Sequence, residues 1–310
     1  MPLINQSQLK SELKILDLEH KLFTLLCRAL LGSKLATLNK NQIEIDSAQL
    51  DLVSRTWNFI KKVNFYHAIN WISFDGLTSF LTRLLSSKSK EINPFIIMCP
   101  SYHKDGSVGF NNTLGQTSLV ALDNFKFLCE LLHSNFPEYK ISPVCYFGDL
   151  GIEQYAKADN KFWDDEVSKN YNLIEVGINK INFTHCQLLK LSDESLLSLQ
   201  IGRTGQIDKE ISTNYAKEIE AVKIRNRTFY CENLGWTKED SDNRTEISAT
   251  FYSIMGKYFN DKFQVPLFLY TANSYEKAVS YNLTTDTKNK LWILYPKKIE
   301  NNIIEFRKYD

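Results

Sequence analysis

Pro94-Phe95-Ile96-Ile97-Met98-Cys99-Pro100-Ser101-Tyr102-His103-Lys104 changes character halfway along. Its first five residues are an unbroken apolar run of the length of a strand buried on both faces, which points to a parallel sheet. Its second half is polar, and a loop follows to Gly115. From Thr117 to His133, Leu119, Leu122, Phe125, Leu128, Cys129 and Leu132 then recur at helical spacing. A strand that hands polar side chains to a loop ahead of a helix is where open α/β sheets bind ligands. Ser101, His103 and Lys104 are therefore candidate catalytic residues, with solvated loop side chains as the plain alternative. The loop has neither GxGxxG nor GxxxxGK[ST], so neither a dinucleotide nor a P-loop nucleotide is implied, and no cofactor is expected.

Strand and helix patterns continue to alternate, as in a mostly parallel sheet with helices on both faces. Ile141 to Phe147 reads as a second strand, turning at Gly148-Asp149-Leu150-Gly151. Asp149 is a further acid/base candidate at a strand end, or else a helix N-cap. Trp163 to Ile178 reads as a helix, Phe183 to Leu191 as a third strand, and Ser192-Asp193-Glu194 as the start of a short helix. Asp208 to about Phe229 reads as a long charged helix. The basic run at its end, Lys223 to Arg227 with Arg225 at its centre, suits an anionic substrate or RNA. Asn233 to Arg244 reads as a polar loop carrying Trp236, long enough to be a lid, ahead of a helix from Glu246 to Phe259. Val265 to Tyr270, Leu291 to Tyr295 and Ile303 to Phe306 close the chain as strands.

At 310 residues and 43% hydrophobic the chain can bury a large core. A formal charge of +1 gives no overall field for nucleic acid or a membrane. Six cysteines spread singly, with no CxxC, read as buried reduced thiols rather than disulfides or a zinc site. The polar Met1 to Lys14 predicts no signal peptide, and no stretch reaches eighteen apolar residues, so a cytoplasmic location without a membrane partner is expected. Leucines from Leu13 to Leu30, Leu50 to Val63 and Phe74 to Leu85 give the first part helical patterning, with His20 and His67 as structural residues. The expected organisation is a helical N-terminal region at 1–90 and an α/β domain at 91–310.

Ile97-Met98-Cys99-Pro100-Ser101-Tyr102-His103-Lys104, then Leu114-Gly115 and the helix from Leu119 to Cys129, resembles the isonitrile synthases of pyoverdine and dityrosine biosynthesis. That family has a strand ending in Pro-Ala/Ser-Phe-Pro-x-Lys-Ser, a Leu-Gly, a Pro-Asp-x-x-Glu and an apolar helix. Here His103 stands for the second Pro, Lys104 comes one place early, and the Asp and Glu fall on Leu119 and Leu122. Phe251 to Asp261 is similar to the family's aromatic-rich helix, with Lys257 in the place of its Arg and Asp261 keeping its acid. The resemblance implies a Rossmann-like fold and a secondary-metabolism transferase that turns the amine of an aromatic amino acid into an isonitrile, with a sugar phosphate as carbon donor. Under that reading Lys104 holds phosphate, His103 and Asp149 move protons, and Tyr102 and Trp236 line the ring pocket, with Tyr252, Lys257 and Arg225 as further substrate contacts.

Two other readings stand beside it. Ser101, just after the first buried strand, is similar to the covalent aminoacyl acceptor of tRNA-dependent cyclodipeptide synthases, whose later helix carries Tyr-x-x-x-Glu. Here that helix offers Tyr252 and then Gly256. With aminoacyl-tRNA as the partner, Lys223, Arg225 and Arg227 become RNA contacts. The missing acids also fit a non-catalytic binding protein built on an enzyme fold.

Overall fold

The computed structural model describes residues 3–4, 45–46, 51–52, 55–56, 58–59, 62, 69–71, 80, 82–98, 116–149, 160–196, 209–272, 290–294, 296–300 and 303–306. In chain order the strands are β1 (Leu3–Ile4), β2 (Ile45–Asp46), β3 (Ile69–Trp71), β4 (Glu91–Met98), β5 (Lys140–Ile141), β6 (Val144–Phe147), β7 (Gln187–Lys190), β8 (Pro266–Ala272), β9 (Lys290–Leu294), β10 (Pro296–Glu300) and β11 (Ile303–Phe306). The helices after β4 are α1 (Gln116–Asn135), α2 (Asn160–Lys180), α3 (Lys209–Asn214), α4 (Ala216–Leu234) and α5 (Lys238–Lys262).

β4 is the middle of the main sheet, paired in parallel with β6 on one side and β8 on the other. The order across the sheet is β3-β9-β8-β4-β6-β7, every pair parallel except β3 with β9, and β5 pairs with the start of β4. From β4 the chain moves outward through β6 to β7, then returns to the other side of β4 for β8 and β9. That is the Rossmann-like order, with an antiparallel strand added at one edge. The direction of travel reverses between β4 and β8, so helices fall on opposite faces of the sheet.

The two faces bury different cores. Ile92, Ile96 and Met98 join Leu122, Phe125, Leu128 and Leu132 of α1 and Leu173, Ile174 and Ile178 of α2. Phe95, Val144, Tyr146 and Phe268 meet Phe251, Met255 and Phe259 of α5 on the other side. Phe95 stacks on Phe268 (4.7 Å between ring centroids, 12° between planes) and packs on Phe259 at 4.6 Å. α5 ends where the Arg83 guanidinium donates to the carbonyls of Asn260, Phe263 and Gln264 at 3.1–3.3 Å, a cation on the negative end of a helix.

Pro94 sits inside this central strand, where proline is usually excluded because it has no N–H to donate. Ser142 N–H donates to Ile92 O at 3.0 Å, so even-numbered residues of β4 turn their backbone toward β5 and β6. The missing donor of Pro94 therefore faces the break at Ser142-Pro143, between β5 and β6, and costs no ladder bond. For the same reason the expected continuous strand from Ile141 to Phe147 is two short ones.

Other sequence expectations need correction. The first ninety residues are not wholly helical, because β3 pairs with β9 in the main sheet. Leu52, Phe59, Phe80 and Leu84 belong to the same core as α1, so this region shares the core of the sheet. Residues 183 to 186 are turn rather than strand; Phe183 is apolar because it plugs the core beside Phe125 (5.4 Å). The charged helix breaks at Tyr215 into α3 and α4. Asn233 to Arg244 is not a lid loop. Gly235, at φ +67°, ends α4, and Thr237 caps α5 by accepting from the Asp240 N–H. Only residues 235–237 separate the two helices.

Truncating Phe95 removes a fully buried ring that holds β4, β8 and α5 together. Phe95→Ala is expected to lower unfolding free energy by about 3–5 kcal/mol in urea denaturation; a loss under about 1 kcal/mol would show that this face is not a tight core.

Candidate functional site

The carboxyl ends of the strands are where this fold gathers ligands, in the crevice where the chain reverses direction. That point lies between β4 and β8, at Met98 and Ala272. The candidate loop residues Ser101, Tyr102, His103 and Lys104 come three to six positions after Met98 in the sequence and lie outside the described residues, as does the side chain of Arg225.

Asp149 lies two residues past the end of β6 and is only 7% exposed. Its Oδ1 accepts from the Ser192 N–H at 3.1 Å, and its Oδ2 accepts from the Ser192 hydroxyl. Ser192 belongs to the short 3₁₀ turn Leu191–Asp193 after β7, so Asp149 clasps the carboxyl ends of two adjacent strands. It thus caps a turn contributed by the next strand and is a held carboxylate at the carboxyl edge of the sheet; the segment after it, for which it was also a candidate N-cap, lies outside the described residues.

A second polar group packs between the sheet and α5. Glu194, 9% exposed, accepts from the Tyr146 hydroxyl at 2.9 Å, from the Tyr258 hydroxyl, and from the Lys262 ammonium. Lys262 Nζ also donates to Tyr146 Oη at 3.3 Å and lies over the rings of Tyr146, Tyr258 and Phe263 at 5.5–5.9 Å. Burial pushes the Glu194 carboxyl up, but the bonds from Lys262, Tyr258 and Tyr146 outweigh it and hold the group below the ordinary carboxylate range. Burial, followed by the neighbouring carboxylate, drives both tyrosine hydroxyls above their usual value. Glu194 therefore stays ionised and both tyrosines stay protonated, which makes the group a latch between β7 and the last turn of α5.

The remaining candidates separate. Tyr252 is half-buried on α5, 5.4 Å from the Phe251 ring, and packs on the second core. Trp236 stacks on Tyr230 at 4.7 Å in the corner between α4 and α5, so one of its faces is already covered. Lys257 is exposed, on the side of α5 turned away from the sheet, and does not converge on the crevice. The basic run is largely neutralised within the protein: Lys223 pairs with Glu246, and Arg227 grips Asp242 with two bonds of 2.6 Å and meets Glu220 at 3.2 Å. Among the described residues no cluster of three or more His, Cys, Asp or Glu could hold a metal ion, and no helix is long and apolar enough to cross a membrane.

Sequence reasoning passed over Glu194, Ser192, Tyr146 and Lys262, because nothing local marks residues that meet only through strand order. The start of α5 did carry a signal. Thr237-Lys238-Glu239-Asp240 has a capping residue and acidic first turn, a pattern that favours a helix over a loop.

No family model matches this chain, and no curated protein matches it. Among solved structures, the crystal structure of the PvcA protein from Pseudomonas aeruginosa is similar, with a TM-score of 0.46 and 13% sequence identity over 77% of this chain and 82% of that one. A likeness this distant says nothing of substrate or reaction, and the fold rests on the strand order itself.

Glu194 has a lower pKa folded than unfolded, so its contribution to stability is complete above the ordinary carboxylate value of about 4.3 and is lost as pH falls through the depressed folded value. Glu194→Gln is expected to cost about 2–3 kcal/mol at neutral pH and to flatten the acid limb of the stability curve. Urea midpoints from pH 3 to 7 check both; an acid limb identical to that of the unmodified protein would exclude the latch.

Proposed function

We propose that this protein is a biosynthetic enzyme that modifies a small molecule, an amino acid, in the crevice between β4 and β8, with a reaction resembling that of the isonitrile synthases. The observation that supports the reading is the strand order. It makes the end of β4 the reversal point of the sheet, and the segment Cys99-Pro100-Ser101-Tyr102-His103-Lys104 begins there. An ammonium, an imidazole and a hydroxyl within four residues at that position match the needs of such chemistry.

Condensing an amine with a sugar carbonyl forms a C=N bond and releases water, so protons must be both given and taken. His103 and Asp149 take those roles in the proposal, and Lys104 holds the phosphate. Tyr102 and Tyr252 contribute aromatic surface to the amino-acid side chain. Trp236, stacked in the helix corner, and Lys257, on the outer side of α5, are given no part in the chemistry.

The test is turnover of L-tyrosine with a pentose 5-phosphate, followed by mass spectrometry of the organic products, beside intact-mass analysis of the protein after incubation with aminoacyl-tRNA. Product from the first mixture, falling about 100-fold or more in Lys104→Ala and Asp149→Asn, supports the proposal. An aminoacyl adduct that disappears in Ser101→Ala transfers the assignment to the tRNA-dependent class. Neither product nor adduct leaves a binding protein on an enzyme fold.

A further inference from the structure

β7 lies at the edge of the main sheet, and its exposure reflects that place. All four residues of β6 are buried, whereas Gln187 of β7 is exposed and Leu188, Leu189 and Lys190 are half-buried. β6 covers one side of β7, and among the described residues no strand pairs with the other. Such an edge offers a row of N–H and C=O groups to any extended chain, and every other copy of this protein carries one.

The register tells which backbone groups face outward. Gln187 N–H donates to Pro143 O at 3.0 Å, so Gln187 and Leu189 turn their peptide groups toward β6, and Leu188 and Lys190 turn theirs away from it. Both of the latter meet a side chain. The Tyr171 hydroxyl donates to Leu188 O at 3.3 Å, and Lys190 N–H donates to Asp193 Oδ2 at 3.0 Å. Tyr171 comes from the middle of α2 and Asp193 from the turn after the strand, so two separate segments converge on the edge. Burial, and after it Glu175 and Asp193, raise the Tyr171 hydroxyl above its ordinary value, which keeps it a donor. Lys190 lays its ammonium over the Tyr171 ring, 5.3 Å from the centroid.

We infer that Tyr171, Asp193 and Lys190 close the outer edge of the main sheet and keep a second copy of the chain from adding its own strand to β7. Strand addition needs the outward N–H and C=O groups of an edge in sequence. On β7 those groups run Leu188 N–H, Leu188 O, Lys190 N–H, Lys190 O, and the middle two are the ones engaged. A docking strand has to displace both bonds. It also has to strip water from the Lys190 ammonium, a cost that edge lysines impose in general.

The experiment uses the whole protein with Tyr171→Phe, Asp193→Ala, the two combined, and Asp193→Asn, which keeps an accepting oxygen. Light scattering over a concentration series, residue-level amide exchange and thermal midpoints are measured on each. Asp193→Ala is expected to speed exchange of the Lys190 amide by about tenfold or more, and the double variant to self-associate about tenfold or more tightly than the unmodified protein. Asp193→Asn is expected to behave as the unmodified protein in both. In the associated double variant the Leu188 amide becomes protected, because the docked strand bonds to it. A folded double variant that associates no more than the unmodified protein overturns the inference. So does association that leaves the Leu188 amide unprotected, or that follows a fall in thermal midpoint. If Asp193→Ala does not fold, Tyr171→Phe alone decides by association and by protection of the Leu188 amide.

Discussion

β4 must satisfy two cores and two neighbouring strands at once. Ile92, Ile96 and Met98 pack one way, Phe95 and Ile97 the other, while the backbone pairs with β6 and β8. A strand held on four sides cannot slip by one residue without turning every buried side chain to the wrong core. Its end at Met98 is therefore a fixed point of the sheet. The interruption at Ser142-Pro143, opposite Pro94, shows how closely the neighbours are matched to it.

The two faces serve different purposes. Toward α1 and α2 the packing is aliphatic and aromatic, and Arg55, paired with Glu138 at 2.7 Å, ties the N-terminal residues to the turn after α1. Toward α5 it is dominated by rings, bordered by Glu194 with its three donors. An ion pair whose carboxylate is buried adds little net stability compared with apolar packing, but it tolerates few arrangements. The position of α5 is then set at its far end by Arg83 and Glu194.

The polar residues in the first half of α5 serve the contact with α4: Asp242, Thr245 and Glu246 meet Arg227, Asn226 and Lys223 there, where charges cancel. Asp149, clasped by Ser192, stands at the carboxyl edge of the sheet. The ends of β6 and β7 are thus tied to each other beside the end of β4.

Much of the fold was legible in the residues. The apolar run Pro94 to Met98 and the heptad-like leucines of α1 announce a buried strand and its helix, because burial on a pleat or on a helix face repeats at fixed periods. Asp149 could be singled out as polar at a strand end. Asn233 to Arg244 looks like a loop by its polar composition, but the end of α4 and the start of α5 run through it, and Asp242 is polar because it meets Arg227 of α4. The joining of Glu194 to Lys262, and of Asp149 to Ser192, could not be read at all. Local periodicity fixes which segments are strands and which side of each is apolar. Strand order was decided only in three dimensions, since it depends on which side of β4 the returning chain inserts, and with it came the reversal point.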